Sequence, residues 1–147
     1  MFSHTNPFIN IGLLLIVAFL GVHCEHVGPL EPELEQEGKA PTLSGIQGLF
    51  TQNCALSGCH TGPNALLGVN LSEGQSYASL VGKPSAEVPG MELVSANRPD
   101  LSYLIVKLEG SAEMAPGTLL MPMGRSPLKK EDIDRVRAWI AAGALDN

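Results

Sequence analysis

The segment Cys54-Ala55-Leu56-Ser57-Gly58-Cys59-His60 places two thiols and an imidazole within seven residues. Two sulfurs so arranged suit thioether bonds to the vinyl groups of an iron porphyrin, and a histidine beside the second cysteine can reach the metal from one face. The usual spacing for such attachment leaves two residues between the cysteines, and here there are four. Other chemistries draw on the same residues. Cys54 and Cys59 could close a small disulfide in an exported chain. A structural zinc site takes four protein ligands, and no further Cys or His occurs in the 87 residues after His60. A Cys-His nucleophile needs a base that faces the thiol and a third group to orient it, and adjacent residues rarely face one another.

A second stretch bears on the choice. Gly117-Thr118-Leu119-Leu120-Met121-Pro122-Met123-Gly124 carries two thioethers beside a stiffening proline. A thioether is a soft, neutral donor that favours ferrous iron, and a His/Met pair raises the reduction potential relative to two histidines. Met121 is the expected sixth ligand opposite His60, with Met123, Met114 and Met91 as the other methionines that could serve. A ligating histidine usually donates its second ring N–H to a carbonyl. Pro63, in the polar turn Thr61-Gly62-Pro63-Asn64, is the expected source of that carbonyl.

These groups need elements to hold them. Leu43, Ile46, Leu49, Phe50 and Cys54 follow a helical stripe with Thr42 or Ser44 as cap, so a helix is expected to run from near Ser44 into the first cysteine. Phe50, one turn before Cys54, is expected to set its ring beside the porphyrin edge. A short helix over 76–81 is expected to bury Tyr77 and Leu80. Another is expected from Pro99 to Leu108, capped by Asp100, with Leu101, Leu104, Ile105 and Leu108 on one face and Gly110 as its stop. The last opens after Leu128, has Glu131 and Asp132 at its positive end, and turns Ile133, Val136, Arg137, Trp139 and Ile140 inward before ending at Gly143. It is expected to pack against the first helix.

Around this domain, 43–147, the chain changes character twice. Residues 8–22 form an apolar run too short to span a bilayer as a helix, which matches the core of an export signal. Cys24 follows Leu20 and Gly21, and the leader, 1–24, resembles a bacterial lipoprotein signal whose cysteine is acylated; the alternatives are a retained anchor or a plain secretory signal. His23 stands where a small residue normally precedes such a cysteine, and no Lys or Arg lies before Phe8. Residues 25–42 carry Glu25, Glu31, Glu33, Glu35 and Glu37 among Pro29, Pro32 and Pro41, the composition of a solvated tether. The expected location is therefore the bacterial periplasm or outer envelope, at a membrane through lipid or leader.

Composition excludes several functions. Nine Lys plus Arg against fifteen Asp plus Glu leave a net charge of −6, the wrong sign for a nucleic-acid partner. Gly82-Lys83 lacks the upstream glycine of a phosphate loop and runs into Pro84, so nucleotide hydrolysis has no support. Arg125, Lys129, Lys130, Arg135 and Arg137 concentrate positive charge near the C-terminus, where they would steer an acidic partner protein.

The span from about Leu43 to Ala144 resembles small monohaem class I-like c-type cytochromes, in particular bacterial exported domains with an expanded C-x4-C-H motif. The shared elements are Phe50 before the cysteines, Ser76-Tyr77-Ala78-Ser79-Leu80, Ser102-Tyr103-Leu104, Met121-Pro122, and Trp139-Ile140 with Gly143-Ala144. The resemblance implies an all-α, cytochrome c-like fold of about four to five helices around one covalent haem c. It also implies thioethers from Cys54 and Cys59, iron held by His60 and Met121, and electron transfer between a protein donor and acceptor, with no catalytic residues. Ile46 stands where that family places a glycine in the first helix, so the crossing of the terminal helices is expected to differ.

Overall fold

The structure is a computed structural model that describes residues 40–147. The leader, Cys24 and the tether through residue 39 lie outside the described residues. Four α-helices follow in order: α1 Leu43–Asn53, α2 Ser76–Leu80, α3 Tyr103–Glu109 and α4 Lys130–Ala141, with 3-10 turns at Leu66–Gly68 and Pro99–Leu101. Among the described residues there is no strand; isolated bridges Val81–Val94, Pro84–Glu92 and Glu92–Ser102 brace the connections. The fold class is all-α. None of the described helices is long and apolar enough to cross a membrane.

Helix α1 forms where the periodicity places it. The Thr42 hydroxyl accepts the Gly45 N–H at 3.0 Å, so of the two expected caps Thr42 serves. Two more of the free N–H groups at this end are satisfied by Asn147: Leu43 donates to its side-chain oxygen at 3.0 Å and Ser44 to its backbone oxygen at 2.9 Å. Leu43, Ile46 and Phe50 turn inward.

Helix α4 starts with Glu131 and Asp132 against its dipole and buries Ile133, Val136, Trp139 and Ile140. Each such side chain withdrawn from water stabilises the fold by about 1.5–3 kcal/mol. The Trp139 ring N–H donates to the Leu145 carbonyl at 2.9 Å, which folds the tail back over the helix end. As expected, α4 packs on α1. Ile46 of α1 and Val136 and Ile140 of α4 are all fully buried in one core cluster.

Between these helices the outcome differs from the sequence expectation in three respects. The helix expected from Pro99 breaks: Ser102 is extended at φ −101°, ψ 118°, and α3 begins only at Tyr103. The break is stabilised by the buried Ser102 hydroxyl, which donates to Arg98 O at 2.9 Å and accepts the Ser95 N–H at 2.9 Å. Asp100 therefore caps nothing and pairs with Arg137 instead, and Leu101 is exposed. In α2, Ser76 and Leu80 are buried while Tyr77 faces out, because the Ser76 hydroxyl donates to Gln47 Oε1 at 2.8 Å and fixes which side meets α1. Gly110 does end α3, in the left-handed region at φ 71°.

Candidate cofactor site

Helix α1 delivers the chain to Cys54, whose N–H still bonds Phe50 O at 2.8 Å. The longer cysteine loop then closes on itself. Leu56 N–H donates to Cys54 O at 2.9 Å, Cys59 N–H to Leu56 O at 2.9 Å, and His60 N–H returns to Cys54 O at 3.1 Å. Gly58 makes the reversal at φ 77°, a conformation that strains any residue with a β-carbon. The four intervening residues are thus taken up in turns, and Cys59 and His60 stay close to the helix end.

The His60 ring is held by Val69, whose carbonyl lies 3.1 Å from Nδ1. With the proton on Nδ1, that nitrogen donates to the carbonyl and the Nε2 lone pair is free for a metal. Pro63, expected in this role, is exposed and takes no part. The chain beyond His60 swings out through the Leu66–Gly68 turn, and the carbonyl that returns to the ring comes from the far side of that turn. Leu71 N–H to His60 O at 2.8 Å pins the returning strand of chain.

Cys54, Cys59 and His60 line one cavity of about 610 Å³, and Met121 and Met123 line it too. Its size matches sites that enclose a cofactor. Tyr103, Leu104 and Leu108 of α3 form an apolar wall. Met121 is half-buried and packs on the core, whereas Met123 is 50% exposed. The Met121 N–H donates to Lys107 O at 2.8 Å, and Leu120 approaches Gly110 so closely that an added β-carbon would meet it at 3.0 Å. The methionine segment thus leans along α3. Phe50, expected at the cavity edge, is instead 2% exposed within the core and does not line the cavity.

Both thiols are free and are not joined to each other. Burial pushes the Cys54 thiol up to about 11, against a smaller opposing pull from Arg125. Among the described residues no three His, Cys, Asp or Glu side chains converge to hold a metal ion.

Two cavity groups escaped the sequence reading. Lys107 lies almost fully buried in the α3 wall, and its ammonium bonds the Glu87 carboxylate at 3.1 Å. The available signal was positional: Lys107 lies three residues after Leu104, on the same helical face. Its partner in a remote loop left no local signature. Comparison with family models, curated proteins and solved structures gave no match to this chain.

Proposed function

We propose that this chain is an exported one-electron carrier that holds a single covalent haem c, with a cytochrome c-like arrangement of its helices. The observation that carries the reading is convergence: two thiols and an imidazole from one loop share an apolar cavity with a half-buried thioether from a segment far along the chain. The donor set fits the group. Cys54 and Cys59 would form the thioethers, His60 would bind iron through Nε2, and Met121 would supply a second protein ligand. When bound, the iron porphyrin supplies the Fe(III)/Fe(II) couple. The protein's part is to orient it and exclude water. Val69 fixes the imidazole, the bond to Lys107 O steadies the methionine segment, and Leu104 and Leu108 of α3 supply apolar lining.

Were His60 and Met121 both to hold the iron, oxygen or peroxide would have to compete with them for it, which is why the reading is a carrier and not an enzyme. Its partners are a protein electron donor and a protein acceptor, met in the bacterial periplasm or outer envelope, with Cys24 lipidation or a retained leader as the membrane tether.

A pyridine haemochrome spectrum of the full chain, made together with cytochrome c maturation machinery, tests the proposal. One covalent haem per chain is expected. A colourless product, or a peptide mass showing Cys54 bonded to Cys59, would overturn it. Carbon monoxide added to the reduced protein at neutral pH separates a carrier from a haem sensor or catalyst. Rapid, complete binding contradicts a closed His/Met site.

A further inference from the structure

Three charged side chains line the cavity: Glu87, Lys107 and Arg125. Arg125 is exposed at its margin, where solvent and salt screen its charge. Lys107 differs. It is 7% exposed, its ammonium lies 3.1 Å from the Glu87 carboxylate and 5.8 Å from the centre of the Tyr103 ring, and its backbone carbonyl takes the Met121 N–H at 2.8 Å. The pair therefore occupies the wall that carries the methionine segment. Stability alone does not account for it, because desolvating two charges offsets most of their attraction and apolar residues of similar volume often serve as well. A charge in an apolar wall, however, acts on a neighbouring charge far more strongly than it would in water.

We propose that the Lys107–Glu87 pair sets the redox poise of the iron held in this cavity, with Lys107 favouring the reduced state and Glu87 the oxidised one; this rests on the haem reading above. Reduction, Fe(III) + e⁻ → Fe(II), takes its electron from the partner protein and lowers the positive charge of the site by one unit. No bond forms or breaks. A nearby cation favours that change and a nearby carboxylate opposes it. Each charge partly cancels the other, so removing one exposes the effect of the survivor.

Equilibrium redox titration of the full-length, haem-loaded protein tests this. Glu87→Gln is expected to shift the reduction equilibrium about tenfold towards the ferrous form, a rise of about 59 mV for one electron. Lys107→Gln is expected to shift it about as far the other way. Lys107→Arg should stay near the parent, and the double Glu87→Gln, Lys107→Gln variant should return towards it. Single variants that all move in the same direction, or all stay within about twofold of the parent, would show that the pair is only a structural strap. If Lys107→Gln does not accumulate, the upward shift of Glu87→Gln with an unmoved Lys107→Arg still decides the matter. A haemochrome spectrum of each sample separates the two levels of failure: a coloured protein with unmoved potentials refutes this inference alone, and a colourless one refutes the haem reading beneath it.

Discussion

Each side chain in the cavity makes a separable demand. If Cys54 and Cys59 both carry thioethers, Cys54→Ser leaves the haem attached through one bond, and only the double serine variant releases it. Haem staining after denaturing electrophoresis reads this directly. If the proposed haem is bound, Met121→Ala is expected to keep it attached, lower the reduction potential, and admit carbon monoxide to the reduced protein. If Met123→Ala did so instead, the ligand assignment would move by two residues. The haem-free chain offers a test by pH. Burial raises the Cys54 thiol from 9.0 in the free residue to about 11, so the folded chain holds this proton after the unfolded chain has lost it. Stability from this group is complete below pH 9.0 and declines between there and about 11. Alkylation of Cys54, followed by mass spectrometry, should speed up over the same interval.

Helices α3 and α4 are joined by a fork that only their packing brings about. Arg137 Nε and Nη2 donate to the two Glu109 carboxylate oxygens at 2.8 Å each, while Nη1 reaches Asp100. Hydrogen bonding from Arg137 holds the Glu109 carboxyl below its ordinary value of 4.5. The associated stability is present above that pH and is lost as acid titrates the folded carboxyl. Because the groups are partly exposed, Arg137→Leu should cost about 1 kcal/mol at neutral pH, less in high salt, and progressively less below pH 4.5. Urea titrations of the two proteins across that range check this. Gly110 tests the join between α3 and the methionine segment. An alanine there meets both a positive φ and Leu120, so Gly110→Ala should cost about 1–2 kcal/mol and, if Met121 ligates the proposed haem iron, weaken that bond along with stability. Thermal melts and the absorbance of the iron–thioether bond report the two effects separately.

In the molecule as a whole, the core and the cavity share a boundary: Leu71, Leu80 and Leu108 belong to the buried core and also line the cavity. Ile46 and Phe50 belong to that core and do not line the cavity, while the loop that follows α1 opens on it. Ile46 is completely buried in the core cluster that also holds Val136 and Ile140 of α4. Ile46→Ala should therefore destabilise the domain by about 2–5 kcal/mol, measurable by denaturant titration, without altering covalent haem attachment.

Short-range patterns determined much of this. The Cys54–His60 motif, the inward stripe of α1, the face of α4 and the stop at Gly110 are each carried by neighbours within a few turns, where periodicity and backbone preference suffice. The tertiary structure decided what depends on distant segments meeting. It assigned the His60 carbonyl to Val69 and turned Phe50 to the core and Tyr77 to solvent; it also broke the expected 99–108 helix at Ser102. It brought Met121 into the cavity of His60 and matched buried Lys107 with Glu87. Partners drawn from different segments are selected by packing and by the need to satisfy each buried polar group, and those are properties of the closed molecule that no single stretch of sequence contains.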